Sequence, residues 1–167
     1  MRNAALGAGI AALLATGPAM SQDESAFVDF QVLKPEVAFQ MAEAAMLHCR
    51  EGGYQVGVTV TDRFGIPQVF IRDRFAGLHV YETSRRKAWT AVSFRTGTSE
   101  LHEATAPGEK SQGIRQLSEA LPLGGGLIVE GNGAIVAGIG VSGAPSPDFD
   151  DECAEAGIAA VEEQIAF

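Results

Sequence analysis

Apolar residues recur at helical spacing in several parts of the chain. From Val37 to His48 they follow one another every three or four residues, which predicts an amphipathic helix over 36–50. Pro35 stands near the first helical position, where its missing amide hydrogen costs no hydrogen bond. Similar spacing predicts further helices over 79–95, 101–104 and 148–164, with another helical turn or two over 111–117.

Elsewhere apolar and polar residues alternate, as they do in strands that bury one face. The clearest case is 55–61, where three valines alternate with polar or small residues. A turn at 62–65 leads to the next strand, and a compact turn at 131–133 joins the last two. Hairpins on both sides of a helical insert indicate an antiparallel sheet. The predicted strands are 55–61, 68–72, 120–123, 127–130 and 134–141.

Joining the two blocks of strands edge to edge makes 55–61 and 134–141 central neighbours and places the first and last helices on one face. The end of the first helix then meets the start of the last, because antiparallel neighbours place one strand's start beside the other's end. Cys49 and Cys153 occupy those two points, so this topology predicts a disulfide. Two buried free thiols are the alternative. Neither cysteine belongs to a Cys-x-x-Cys motif, which argues against thioredoxin chemistry and zinc knuckles.

The first 21 residues have the pattern of a secretory signal peptide. Arg2 supplies the positive start, an apolar stretch runs from Ala4 to Ala15, and small residues precede a cleavage point before Gln22. The apolar stretch is shorter than the roughly 20 residues that span a bilayer. We therefore expect a signal peptide over 1–21, a single domain over 22–167, no membrane span after cleavage, and a periplasmic or secreted location.

The chain is acidic, with a formal net charge of −9. Cleavage removes Arg2 and makes the mature chain more acidic still. Binding to DNA, RNA or anionic lipid depends on an excess of cations that displaces counterions. We therefore expect no nucleic-acid partner.

Two glycine-rich segments, 124–126 and 138–143, stand out in the second half. The triplet lacks the Lys-Ser/Thr of a P-loop, and the later run is no Gly-x-Gly-x-x-Gly between a strand and a helix. Ser142 lacks the second glycine of a nucleophile elbow. These glycines are interpreted as places where strands bend or approach another backbone, with a phosphate cradle as the alternative.

Three histidines are candidates for metal chemistry: His48, His79 and His102. None is spaced from another as His-x-x-x-His, so a zinc enzyme is poorly supported. An iron porphyrin needs only one axial side chain, a flat apolar slot and cations for its propionates. His102, near Thr98 and the basic group 85–87, can supply that set. His48, which shares its predicted helix with two methionines, is the second candidate.

Lys87 interrupts an otherwise small and apolar helical stripe. It is either a cation for an anionic ligand or a snorkelling side chain that pairs with Asp62, Asp73 or a helix C-terminus. Trp89 is interpreted as a core or subunit-contact residue. The carboxylates near 148–152 are explained by the positive end of a helix dipole.

Taken together, these segments resemble the family that includes GlcG, the haem-binding protein HbpS and the C-terminal domain of PduO-type proteins. The resemblance implies an α/β (α+β), profilin-like fold with a five-stranded antiparallel sheet flanked by helices. It also implies homo-oligomers, often octamers, and haem or tetrapyrrole binding in some members. The matching stretches are Val58–Gly65, Lys87–Ala91, Gly97-Thr98, 124–126, Gly138–Gly143 and Asp151–Gly157.

The leading functional hypothesis is an exported, oligomeric haem-binding protein that holds or senses haem. Its candidate site residues are His102, as the iron ligand, with Thr98, Lys87, Arg86 and His48. The alternative is an enzyme or accessory factor that binds a small acidic metabolite through Lys87 and Arg86. A purely structural assembly partner is a third possibility. No residue is assigned a catalytic role, and enzymatic activity stays open.

Overall fold

A computed structural model describes residues 26–166 of the protein. The predicted signal peptide over 1–21 lies outside these residues and stays a prediction. Between residues 72 and 126 the chain forms two helices and a short 3-10 helix at Gln112–Gln116. The elements are α1 Pro35–Glu51, β1 Gly57–Asp62, β2 Pro67–Arg72, α2 Val80–Phe94, α3 Thr98–Ala104, β3 Gly126–Gly131, β4 Ala134–Ser142, α4 Pro147–Ala159 and α5 Glu162–Ile165.

The described strands form one antiparallel sheet in the order β2-β1-β4-β3. The predicted central pairing is confirmed, since β1 runs beside β4 with Gly57 opposite Ser142 and Asp62 opposite Ala137. Helices α1 and α4 share one face of the sheet, and their alanines and Met41 pack on the valines of β1 and β4. Burying such aliphatic side chains stabilises the fold by roughly 1.5–3 kcal/mol each.

The predicted disulfide is present. Cys49 in the last turn of α1 bonds to Cys153 in α4, with their Cα atoms 5.5 Å apart. Both residues are almost fully buried. The bond therefore ties the end of α1 to the first half of α4, as the antiparallel pairing of β1 and β4 requires.

Strand β1 is buried on both faces, so the prediction of a strand buried on one face is wrong. The cause is α2, which lies across the face opposite α1. The Oγ1 atom of Thr59 is 2.7 Å from Oγ of Ser84 on α2, which satisfies both buried hydroxyls. Helix and sheet approach closely because β4 has glycine at the contact: a Cβ at Gly140 would collide with the carbonyl oxygen of Ser84. At Gly140, the prediction that glycine lets a strand approach another backbone is confirmed.

The sheet has four strands among the described residues, so the prediction of five is wrong in this detail. The segment 120–123 is extended but crosses α2 and α3 instead of pairing with β3. Its polar backbone groups bond to helix side chains: Ala120 O accepts from Arg86, and Leu121 N donates to Thr90. Pro122 has no amide hydrogen to give to a strand ladder.

The last predicted helix is also divided. Helix α4 ends at Ala159, and a turn at Ala160 and Val161 leads into the short α5. This turn lets Val161 and Ile165 reach the core, where both are buried. Within residues 26–166, no helix is long and apolar enough to cross a membrane.

Candidate functional site

A tight loop of three glycines, Gly124 to Gly126, lies where α2, α3, β4 and α4 meet. Gly125 has φ +107°, a conformation that favours glycine, and its carbonyl accepts a hydrogen bond from Val141 N at 2.7 Å. A Cβ on Gly125 would lie 2.8 Å from Nζ of Lys87 and 2.7 Å from Cβ of Asp150. The loop therefore depends on glycine to pass this close to its neighbours.

Lys87 lies under this loop with only 1% of its surface exposed. Its ammonium donates to Oδ2 of Asp150 at 2.7 Å and to the carbonyl of Val141 at 2.9 Å. The second oxygen of Asp150 accepts from Ala144 N at 3.0 Å. Burial lowers the pKa of Lys87 and raises the pKa of Asp150, while their mutual attraction opposes both shifts.

This pairing corrects the partners predicted for Lys87. Asp62 accepts hydrogen bonds from Phe64 N and Ile66 N in its own turn. Asp73 forms an ion pair with Arg50, with Arg50 Nε 2.9 Å from Oδ2. The charge of Lys87 is thus compensated inside the protein by Asp150, a carboxylate that the sequence analysis attributed only to the helix dipole.

Asp151, next to Asp150 on α4, connects the glycine loop to α3. Its Oδ1 accepts from Gly125 N at 2.5 Å, and its Oδ2 accepts a short hydrogen bond from Oγ of Ser99. Sequence reasoning missed both aspartates, because their position in the first turn of a helix already had a local explanation. The predicted pairing of β1 with β4 could have indicated them. It sets Gly57 opposite Ser142, which brings α2 and the start of α4 to the same end of the sheet.

Thr98 is fully buried at the start of α3. Its Oγ1 accepts from Gly126 N at 2.8 Å and donates to Gly126 O at 3.2 Å. Both functions of the hydroxyl are thus occupied by the glycine loop, so Thr98 fixes α3 against β3. Its role as a cofactor-binding residue stays a prediction.

The two arginines before Lys87 contact the extended segment 119–123. Arg85 Nη1 lies 2.7 Å from Oε2 of Glu119, and this hydrogen bond lowers the pKa of Glu119. Arg86 donates to the carbonyl of Ala120 at 2.9 Å and lies 3.5 Å from Glu82. Both guanidinium groups are therefore partly buried and paired with protein oxygens.

His102 lies on α3, three residues after Ser99, and its side chain contacts the same extended segment. Its side chain is exposed, and its Nδ1 is 3.0 Å from the carbonyl oxygen of Pro122. A carbonyl only accepts, so Nδ1 carries the hydrogen of this contact, and in the neutral imidazole Nε2 is the nitrogen with the lone pair. Nε2 has no hydrogen-bond partner among the residues that the structure describes. This imidazole borders a cleft of about 220 Å³, which is lined by Ser99, His102, Glu103, Leu123, Gly124, Pro147 and Asp148.

His48 borders a different cleft, of about 240 Å³, at the disulfide. It is exposed near the end of α1, and Tyr54 and Phe149 form an aromatic pair in the cleft wall, with ring centroids 5.0 Å apart. The two candidate histidines therefore serve separate clefts. No group of three or more His, Cys, Asp or Glu side chains within 26–166 is arranged to hold a metal ion directly.

The fold thus brings Lys87 and Thr98 together beneath the glycine loop and sets His102 on its outer side. Arg86 and His102 share a backbone segment but bind it at different carbonyls, Ala120 and Pro122. The predicted site residues other than His48 thus form one connected region. Lys87 and Arg86 are paired there with protein groups, whereas Nε2 of His102 has no partner among the described residues.

Comparison with known proteins shows which family the chain belongs to. The HbpS-like family, described as haem degrading protein HbpS-like, matches residues 33–159. The chain belongs to the HbpS-like family. That match includes the glycine loop, Lys87, His102 and both aspartates of α4.

Solved structures of HbpS-like relatives have the same fold. A crystal structure of HbpS is 40% identical, with a TM-score of 0.77, and the match covers 81% of this chain and 94% of that one. A crystal structure of a PduOC–haem complex is 30% identical, with a TM-score of 0.72, and covers 77% of this chain and 94% of that one.

The corrinoid adenosyltransferase PduO of Citrobacter freundii is 33% identical over 124 residues, which are 73% of this chain. The chain spans 37% of the length of that relative.

Proposed function

We propose that this member of the HbpS-like family is an exported, oligomeric protein that binds haem or a related tetrapyrrole through His102. One observation carries the proposal: the Nδ1–H of His102 donates to the Pro122 carbonyl and leaves Nε2 unpartnered at a cleft. Histidines that bind metals commonly donate their other ring N–H to a carbonyl or carboxylate, which fixes the ring and its tautomer.

The walls of the cleft suit one edge of a flat macrocycle. Leu123 and Pro147 supply apolar surface. One axial nitrogen is enough for a haem protein, and haem iron when bound supplies a redox-active centre. His102 would hold the iron, and the α3 helix with the 120–123 segment would orient the imidazole.

The size of the cleft supports an oligomeric binding site. Its volume of about 220 Å³ is below the roughly 300–1,000 Å³ of pockets that enclose a small molecule. A tetrapyrrole at His102 would therefore stay partly uncovered on a single protomer. A second copy that packs over this cleft would complete the enclosure, which links haem binding to the proposed homo-oligomer.

The relatives lend this proposal independent support. The PduOC structure is a complex with haem and shares the fold over most of this chain. Export is proposed from the signal-peptide pattern over 1–21, and a buried disulfide agrees with an oxidising compartment.

A haemin titration of the mature protein, residues 22–167, tests the site. We expect a shifted Soret band that saturates, and an affinity about tenfold or more weaker in His102→Ala. His48→Ala is the matched control, since it removes an exposed histidine from the other cleft. Equal affinity in the wild type and His102→Ala would overturn the assignment of His102, and a loss confined to His48→Ala would transfer it to His48.

Export and assembly need separate measurements. N-terminal sequencing of protein recovered from cell fractions should give Gln22 as the first residue of an extracytoplasmic form. Light scattering after size-exclusion chromatography should give a multiple of the protomer mass. A cytoplasmic protein that retains Met1, or a monomer at all concentrations, would contradict the corresponding part of the proposal.

A further inference from the structure

A third cleft, distinct from those at His102 and His48, adjoins α3 at the end opposite to the glycine loop. It has a volume of about 590 Å³ and is open to solvent. Its charged lining side chains are both cations, Lys110 and Arg115, although the chain as a whole carries a net charge of −9. The remaining lining residues are neutral: Thr105, Pro107, Gln112, Gly113 and Gln116.

Arg115 is held against the end of α3 that carries His102. Its Nη2 donates to the carbonyl of His102 at 2.7 Å, and its Nε donates to the carbonyl of Thr105 at 2.7 Å. These contacts cap the helix and fix the guanidinium group. Guanidinium has five N–H donors, and Nη1 has no partner in the part of the chain that the structure describes.

Lys110 and Arg115 also differ from the basic residues of α2. Each of Arg85, Arg86 and Lys87 lies within 4 Å of a carboxylate oxygen. Over residues 26–166, neither Lys110 nor Arg115 forms an ion pair. They are therefore cations that a ligand can reach without first displacing an internal carboxylate.

The cleft at His102 has the opposite charge. Its charged walls include Glu103 and Asp148, and no lysine or arginine of residues 26–166 lines it. A carboxylate of a bound ligand would be repelled there, because like charges within a few ångströms disfavour one another. A ligand that presents a metal centre to His102 and carries carboxylates on its rim would turn that rim away from Glu103 and Asp148.

We propose that Lys110 and Arg115 form a carboxylate subsite, which receives the acidic groups of the tetrapyrrole that His102 holds. This inference rests on the proposed function, because it assigns the orientation of the same ligand. Arg115 supplies a planar, fixed donor group that suits a carboxylate, and Lys110 supplies a mobile charge beside it. The subsite replaces the basic group 85–87 as the source of cations.

The test compares the affinities of three probes: haemin, metal-free protoporphyrin IX, and the dimethyl ester of haemin. The variant is Lys110→Gln with Arg115→Gln. The control, Lys34→Gln with Arg72→Gln, removes the same charge from exposed positions on other elements. We expect the variant to bind haemin and protoporphyrin about five- to tenfold more weakly at low salt, and the control to bind as wild type does.

The ester separates a contact with carboxylates from an effect on the stability of α3. Wild-type protein should bind the ester more weakly than haemin, and the variant should bind the two equally. A variant that still prefers haemin over its ester, or a wild type that does not discriminate, would overturn the subsite. Dependence on Lys110 and Arg115 without dependence on His102 would overturn only the assigned iron ligand. Failure of all probes to bind the wild type would overturn both proposals.

Discussion

Lys87 with its partners and the cleft at His102 lie on two sides of the same glycine loop. Their polar groups differ in whether the protein itself supplies their partners. Beneath the loop, the ammonium of Lys87 and both oxygens of Asp150 have partners within the protein. On the outer side, Nε2 of His102 has none among the described residues, and the side chain is exposed. A cation in a family motif therefore does not by itself indicate a ligand.

This difference separates stability from binding. Removing one partner of a buried ion pair leaves an uncompensated charge in a medium of low dielectric constant, which is strongly destabilising. Removing an exposed imidazole with one hydrogen bond leaves no such charge behind. Substitutions beneath the loop should therefore change the free energy of unfolding, whereas substitutions in the cleft should change ligand affinity.

The largest expected effect comes from Lys87→Met. It keeps the length of the side chain but leaves Asp150 buried without its cation, so unfolding in urea should show a loss of about 3–5 kcal/mol. The double variant Lys87→Met with Asp150→Asn removes both charges and should recover part of that loss. Unchanged stability in the single variant would show that the pair is solvated or neutral, and the contrast with His102 would disappear.

A smaller loss is expected from Gly125→Ala, which tests the loop itself. The new Cβ would collide with the carbonyl oxygen of Val141, and would also meet Cβ of Asp150 at 2.7 Å and Nζ of Lys87 at 2.8 Å. The backbone would stay at a positive φ of +107°. Gly133→Ala is the matched control: its φ is +75°, but no atom lies within 4 Å of the added Cβ. The control should lose about 1 kcal/mol through backbone strain alone, and Gly125→Ala about 2–4 kcal/mol. Equal losses would mean that the loop moves away from Lys87 at little cost.

Arg50 and Asp73 form an intermediate case, in which a buried carboxylate meets a partly exposed cation. The hydrogen bond from Arg50 lowers the pKa of Asp73. A carboxyl whose pKa is lowered by folding adds stability above its unfolded pKa, and that stability disappears as the pH falls through the folded value. The stability difference between wild type and Asp73→Asn should thus be largest near neutral pH and shrink below about pH 3.9. A difference that grows on acidification would contradict the lowered pKa.

Much of the fold follows from short-range patterns in the sequence. The helix at 35–51 and the hairpin at 57–72 have regular spacing and clear turn residues, so their existence and type were predictable. The disulfide also followed, because it depends only on which strands are central. The prediction of a strand at 120–123 was wrong. Its apolar residues resemble a strand locally, but side chains from α2 and α3 form hydrogen bonds with the backbone groups that a strand would pair.

The candidate site was harder to predict than the fold. Lys87 stood out as a charge in an apolar stripe, but its partner Asp150 is 63 residues away in sequence. Asp150 and Asp151 looked like ordinary residues of a helix start, and only the tertiary structure shows that they hold Lys87 and the glycine loop. Lys110 and Arg115 belong to no sequence motif, because the cleft that they share and the helix end that Arg115 contacts form only in the folded chain.

The smallest expected change in stability is that of His102→Ala without ligand. The exposed imidazole makes one hydrogen bond, to Pro122 O, and that carbonyl can accept from water instead. Its free energy of unfolding should therefore stay within about 0.5 kcal/mol of wild type, as is usual for surface positions. Calorimetry with and without haemin tests the other half of the comparison. Haemin should raise the melting temperature of wild type more than that of His102→Ala, because stabilisation by a ligand falls as the affinity for it falls. A large loss of stability in the ligand-free variant would show that His102 holds the 120–123 segment in place, as Arg86 and Thr90 do, and that its role is structural.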